Sequence, residues 1–505
     1  MTTLAISLMA LSTRPAQAQL ADYVNTITLP GGATDLAPGN GPNINRLGGL
    51  FSDVYYDRDR DLYYGLPDRG PGGGLVAYDT RVQEFTLDVD DTTGAISNFN
   101  LLRTVQFTAN GAAFNGQNPQ LLNGNPATLG LSLDPEGFAV SRTGNFYVSD
   151  EYGPSIYEFN RNGELIASFT APDNLLPRSN AAGNPLDFAA IRDSTPALIT
   201  GRQDNRGFEG LAVTPDGSRL YAMLQDPLAE EGAGNQGRRS RNLRIVEYDT
   251  ATRQSLRQFI YQLEDLSDIN ARIAGTDNDF GANAQGRNIG ISAIIPVNDT
   301  EFLVLERDNR GFGVDELADG NPLSLLPVST KRIYNVNIAG ATDVSGISLA
   351  GTNTLPGGVT AVSKTLALDL QAALSGANLG IPALPEKFEG ITIGRQLSDG
   401  TYSLIVGTDN DFSVTQTGMG EQFDIYYTLD GNGQLATVEQ VALGAAPTNP
   451  NALLIPNYLF GFKTNTGQLA GFAPQATTVP EAGTTLLLSL GIIGLVGGVI
   501  TRRRK

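Results

Sequence analysis

The feature that most limits what this chain can become is a repeat. One unit of three short apolar strands around an acidic turn occurs five times. Its clearest copy, residues 134–165, reads DPEGFAVSRTGNFYVSDEYGPSIYEFNRNGEL. Apolar runs at 137–140, 146–149 and 156–159 are separated by turns rich in Gly, Asn and Asp, and none is long enough for a helix. The same order recurs at 207–248 (GFEGLAVTPDGSRLYAMLQDP, then LRIVEYD) and at 387–427 (KFEGITI, then FDIYYTLD). Weaker copies at 47–79 and 290–336 keep the strands and replace the Glu-Gly pair. A unit that cannot bury both faces alone must stack on its neighbours, and the closed solution is a β-propeller. The expectation is therefore an all-β propeller with five visible repeats and six blades. An N-terminal strand at 23–29 would close it against 457–463. A pair of β-sandwiches is the alternative, but it does not require the same acidic turn in every unit.

Residues 1–18 carry an apolar stretch and an Ala-Gln-Ala site before Gln19, the pattern of a signal peptide. Residues 19–443 are assigned to the propeller and the Pro/Ala/Thr-rich residues 444–478 to a stalk. Residues 484–501 lack any charge and precede Arg502-Arg503-Arg504-Lys505. As a helix they span about 27 Å, enough for one transmembrane crossing with the basic end cytoplasmic. With Val479-Pro480-Glu481 in front, residues 479–505 resemble the PEP-CTERM sorting signal. That resemblance implies an exported protein held in the membrane at the cell surface until an exosortase-like sorting protease cleaves it.

The chain contains no cysteine and no histidine. Disulfides, thiol nucleophiles, Ser-His-Asp catalysis and the usual zinc or iron sites are excluded. Chemistry is left to carboxylates, Arg, Lys, Tyr, hydroxyls or a bound hard cation. A net charge of −19 repels nucleic acid and other polyanions unless cations intervene.

The carboxylates recur in register. Glu136, Glu209 and Glu389 each precede the glycine of a first strand, and Asp150, Glu306 and Asp409 follow second strands, with Glu151, Asp226 and Asp411 close by. Equivalent positions on successive blades form a ring, so these groups are expected to converge on a central channel. Converging carboxylates raise one another's pKa values, and a cation with 6–8 oxygen ligands relieves them, which points to Ca²⁺. Glu136, Asp150, Glu209, Glu306, Glu389 and Asp409 are the expected ligands. Arg206 and Arg310 stand beside Glu209 and Glu306 and could grip an anion or pair with the neighbouring acid. Two features stay outside this scheme: a glycine-rich run, RGPGGGL at 69–75, and an arginine cluster at 238, 239, 241 and 244.

The set DPEGFAV, FYVSDEYG, RGFEGLAVTPDG, ERDNRG and KFEGITI, spread over about residues 45–430, resembles the phytase-like family, described as having esterase-like activity of phytase. The resemblance implies an exported propeller with calcium-dependent phosphomonoester hydrolysis. Ca²⁺ would link the acidic ring to a phosphate ester or another anionic small molecule. Arg206 or Arg310 would stabilise its charge, and Glu209 would orient the attacking water. Two other readings are a calcium-dependent lactonase or sugar-ester hydrolase, and a non-catalytic surface propeller that binds exopolysaccharide.

Overall fold

The computed structural model describes residues 19–475 apart from 39–44, 282–284, 315–323 and 418–419. The segments expected to be the signal peptide, the sorting signal and the transmembrane helix lie outside the described residues. Among the described residues no helix is long and apolar enough to cross a membrane.

The protein is all-β, and most strands fall into six four-stranded sheets. Five are antiparallel sheets that make up the ring, three of them built from strands consecutive in the chain. Sheet 1 starts with Asp53–Asp57, sheet 2 with Pro135–Val140, sheet 3 with Phe208–Val213, sheet 4 with Ile289–Pro296 and sheet 5 with Lys387–Gln396. These first strands pack in cyclic order, 1 on 2, 2 on 3, 3 on 4, 4 on 5 and 5 back on 1. The arrangement is propeller-like, and closure between sheets 5 and 1 leaves no gap for a sixth member. The expected six blades are therefore corrected to five in the ring.

Burial follows from this order. The first strands of sheets 2 and 3 are buried at every position, while the outer strand Leu165–Ser168 alternates between half-buried and exposed. Covered on both faces, an inner strand reads as a short continuous apolar run, and an outer strand alternates. The largest apolar clusters each join two neighbouring sheets. Ala139, Ile156, Phe208 and Leu220 lie between sheets 2 and 3, and Met223, Ile245, Ile294 and Phe302 between sheets 3 and 4. Each of the larger side chains among these contributes about 1.5–3 kcal/mol.

The glycine of each Glu-Gly pair is a packing requirement. A Cβ on Gly137 would meet the Glu209 carbonyl oxygen at 2.8 Å, one on Gly210 the Ile294 nitrogen at 2.8 Å, and one on Gly390 the Val54 nitrogen at 2.7 Å. In every case the obstacle is the next sheet's inner backbone, which cannot step aside.

The first and last strands of the described residues meet in sheet 5, where Ala21–Leu29 pairs with Asn457–Thr464, which in turn pairs with Tyr402–Asp409. Residues 444–478 are thus no simple stalk, because their middle is a buried strand of the ring. Two strand assignments also shift. The run FDIYYTLD, expected as the third strand of the fifth unit, lies in Glu421–Leu429 of the sixth sheet. In sheet 1 the third strand is Arg81–Val89 instead of the preceding LVAYD. The sixth sheet is inserted between the second and third strands of sheet 5 and begins with Val414–Thr417.

Candidate functional site

Each Glu-Gly pair sits at an irregularity of an inner strand. Register shifts occur between Pro135 and Phe138, between Phe208 and Gly210, and between Phe388 and Ile391. Such a bulge leaves a residue unpaired and re-aims its side chain. Glu136, Glu209 and Glu389 accordingly line one cavity of about 390 Å³, where the ring meets the sixth sheet. Val414, Thr415 and Gln416 of that sheet form part of its wall, as do Gly70, Gly72 and Gly73 of the glycine-rich run.

The cavity wall carries eight acidic side chains against four cationic ones. Glu136, Glu209, Glu389, Asp409 and Arg206 are on it. Asp150, Glu306 and Arg310 are not. The reason for the first two is strand alternation, which sends neighbouring side chains to opposite faces. Glu151 and Arg307 reach the cavity, while Asp150 and Glu306 are used internally. Asp150 accepts from the backbone N–H groups of Asp134 and Tyr152, both at 3.1 Å. Glu306 accepts from Tyr261 Oη at 2.8 Å and the Glu264 N–H at 2.7 Å, and it pairs with Lys364. Arg310 donates to the Asn278 carbonyl at 2.6 Å and lies 3.5 Å over the Phe280 ring.

Asp68 was not among the expected ligands, although it opens the Asp-Arg-Gly triplet at 68–70. It belongs to two sets of carboxylates, Asp68 with Asp409 and Asp411, and Asp68 with Asp134 and Glu136. In each set one oxygen per residue lies within 4.8 Å of the others. Asp134, directly before the Pro-Glu-Gly, was missed as well. So were the cations that balance the ring. Lys387 pairs with Asp411 at 2.5 Å and Asp409 at 3.5 Å, Arg69 with Asp134 at 3.0 Å, and Arg307 with Glu389. Arg206 lies 3.2 Å from Asp226 and 3.7 Å from Glu151.

Burial dominates the electrostatics. It pushes Glu209 up to about 8, with the Glu389 charge adding to the effect. Asp226 is pushed up to about 7 by burial despite Arg206, and Asp409 to about 6 despite Lys387. Glu136 and Glu151 are raised well above the carboxylate range by burial and then by Glu209. Asp68 is raised by burial and then by Asp409.

Three oxygens on this wall, Glu209 Oε2, Asn205 Oδ1 and Gln225 Oε1, have no hydrogen-bond partner, and a fourth, Glu151 Oε1, has only the Arg206 ion pair at 3.7 Å. An unsatisfied buried acceptor costs about 1–3 kcal/mol, so a set of them in one cavity calls for a donor or a cation. Carboxylate and amide oxygens without nitrogen or sulfur ligands are the donor set of a hard cation, and they fit Ca²⁺.

A model of the family "Phytase-like: Esterase-like activity of phytase" matches residues 45–412. A secreted protein of Arthroderma benhamiae is 39% identical over 125 residues, which are 24% of this chain and 24% of that protein. The chain thus spans about a quarter of the length of this relative. Among solved structures, the hydrazine synthase of Kuenenia stuttgartiensis matches at 14% identity with a TM-score of 0.26, over 72% of this chain and 77% of that one. A luciferin-regenerating enzyme matches at 10% identity with a TM-score of 0.28, over 88% and 96%.

Proposed function

Because the chain belongs to the phytase-like family, we propose that it is an exported, calcium-dependent hydrolase of phosphomonoesters built as a five-bladed propeller. The observation that carries this reading is the set of partnerless oxygens among eight carboxylates in one cavity. An acidic cavity takes an anionic substrate only when cations intervene.

Glu209, with its unpartnered Oε2, and Glu136 would hold the metal together with Asp68, which gathers Asp409 and Asp411 on one side and Asp134 and Glu136 on the other. Bound there, Ca²⁺ supplies the positive charge that draws in a phosphate and offsets charge developing on it. Arg206 adds a fixed positive charge for the phosphoryl oxygens. Without a cation, burial holds the Glu209 proton up to about 8. A neighbouring cation favours its ionised form, and Oε2 then accepts a proton from the attacking water. Asp226, at about 7, is poised to return a proton to the leaving alkoxide. Export rests on the leader-like residues 1–18 and on the secreted relative. A membrane tether and an exosortase-like protease rest on residues 479–505. Fractionation of cells expressing the full chain tests both.

The direct test is calcium titration calorimetry on the purified protein and on Glu209→Gln and Asp68→Asn, with release of phosphate measured in parallel. Binding weakened in both variants, with phosphate release that chelation abolishes, is expected. Lactone opening without phosphate release would move the protein to the lactonase reading. Retention of exopolysaccharide without any turnover would make it a binding module.

A further inference from the structure

The first strands of the ring carry a cavity at each end. Glu136, Glu209, Gly290 and Glu389, near the starts of the first strands of sheets 2 to 5, line the acidic cavity. Tyr55, Val140, Val213, Pro296 and Ile393, one from each sheet and further along those strands, line a second cavity of about 80 Å³. The step from Glu209 to Val213, or from Gly290 to Pro296, is on the order of 13–20 Å at about 3.3 Å per residue. The two cavities are therefore opposite mouths of one axial channel.

The chain itself occupies the far mouth. After the strand Asn457–Thr464 it crosses this end of the ring and sets Phe472, Ala473 and Gln475 in the wall of the second cavity. The Ala473 N–H donates to the Val297 carbonyl at 2.8 Å, and Gln475 Oε1 accepts from Tyr55 Oη at 3.3 Å. The Phe472 ring meets Tyr402 edge-on at 5.1 Å, and the Arg58 guanidinium lies 4.9 Å from the Phe472 ring and 5.1 Å from that of Tyr56. Leu469, just before, is buried in the apolar cluster shared by sheets 4 and 5. Contacts with sheets 1, 4 and 5 at once pin this segment at the axis and not at the edge of the ring.

Gln475 is the last described residue, and residues 484–501 are the stretch read above as a membrane crossing. Residues 476–483 lie between them, and at no more than about 3.6 Å each they span at most about 29 Å. Four strands at about 4.8 Å spacing put the outer edge of a sheet on the order of 20 Å from the channel. A tether that starts at the axis on one face thus reaches little beyond the rim. It cannot also pass up the side to the other face.

We propose that the far face of the ring is the surface turned to the lipid bilayer, held there by residues 469–475 seated in the channel, with the acidic cavity open on the side away from the membrane. Substrate then reaches the cavity from the surrounding medium and not from the lipid surface. The orientation rests on the membrane tether of the functional reading, whereas the seating of residues 469–475 does not.

The chain has no cysteine, so a single dye can be placed on either side. Gln416→Cys marks the wall of the acidic cavity, and Asp299→Cys marks the exposed turn that follows Pro296 at the far face. Each full-length variant is reconstituted into phosphatidylcholine vesicles that carry an acceptor dye on the lipid head group, and energy transfer to the lipid is measured. Transfer from position 299 is expected to exceed that from 416 at least twofold. Inserting about 20 Gly/Ser residues after Gln475 leaves every described contact in place and should abolish the difference by freeing the domain to turn. Phe472→Ser/Ala473→Pro should abolish it too, by releasing residues 469–475, with the chain still floating with the vesicles. Transfer from 416 that equals or exceeds that from 299 in the chain without insert or release overturns the orientation. A difference that survives Phe472→Ser/Ala473→Pro overturns the part given to residues 469–475. A full-length chain that does not float with the vesicles overturns the tether and the orientation together. In that case, protease resistance of residues 469–475 that is lost in Phe472→Ser/Ala473→Pro keeps their seat in the channel, and ready cleavage there overturns it.

Discussion

Replacing Glu209 by Gln is expected to stabilise the metal-free protein at alkaline pH while weakening its response to calcium. In the folded, metal-free state this carboxyl keeps its proton up to about 8, against an ordinary value of 4.5. Between those values the folded state binds a proton that the unfolded state has released. Stability therefore falls as pH rises from 4.5 to about 8, by about 1.4 kcal/mol per unit. The accumulated loss from this group is on the order of 4–5 kcal/mol. Gln has the same shape and no charge to desolvate, so the variant avoids that loss. At about 2 cal/mol/K per residue, the unfolding entropy of this chain is on the order of 1 kcal/mol/K, so the gain corresponds to a Tm rise of about 4 °C. Below pH 4.5 the two proteins should melt together.

Calcium inverts the comparison, because a cation beside Oε2 removes the cost of the charge and uses it as attraction. A tenfold loss of affinity in Glu209→Gln would remove about 1.4 kcal/mol of calcium-linked stability at saturating metal. The assay is thermal unfolding of both proteins at pH 4.5, 6 and 8, in chelator and in excess calcium. The variant should melt higher than wild type in chelator at pH 8 and show the smaller rise on adding calcium. A variant that melts lower in chelator at pH 8, or whose calcium-induced rise equals that of wild type, would refute this account of the cavity.

Three further outcomes follow from particular contacts. Gly210→Ala places a Cβ 2.8 Å from the Ile294 nitrogen and should cost several kcal/mol, read as lost soluble yield or a collapsed Tm; Gly111→Ala, with nothing within 4 Å, should cost only about 1 kcal/mol of backbone strain. Glu306→Gln leaves the half-buried Lys364 without its nearest counter-charge and should destabilise by about 1–3 kcal/mol in denaturant titrations, with calcium affinity by calorimetry unchanged. Lys387→Gln removes the cation nearest Asp409 and Asp411, so calorimetry should report calcium binding at least tenfold tighter and metal-free stability lower at pH 8.

The repeat was legible because burial on both faces writes an inner strand as a short apolar run, and because Gly137, Gly210 and Gly390 each admit the next sheet's backbone. A pattern with so direct a steric cause recurs wherever the packing recurs. The blade count was not legible, because the fifth sheet is completed by Asn457–Thr464 and Ala21–Leu29, far apart in the chain, while a better-looking strand at Glu421–Leu429 lies between them in another sheet. The pairing of these two segments was expected and is observed; what the sequence left open is that they complete the fifth sheet instead of adding a sixth blade. The site divides along the same line. Glu136, Glu209 and Glu389 could be found because a bulge and a glycine mark them. Asp150 and Glu306 were misplaced by one strand position, the smallest possible error and also the one that turns a side chain from the channel to the opposite face. Asp68 carried only an echo, Asp-Arg-Gly at 68–70 against Asp-Asn-Arg-Gly at 204–207 and 308–311, which marks a bend at three places in the chain with three different fates. At 68–70 it brings an aspartate to the cavity, at 204–207 an arginine, and at 308–311 its arginine packs on Phe280 instead. A short motif therefore reports the bend of the backbone reliably, and the chemistry displayed there is decided by which neighbouring sheet the bend faces.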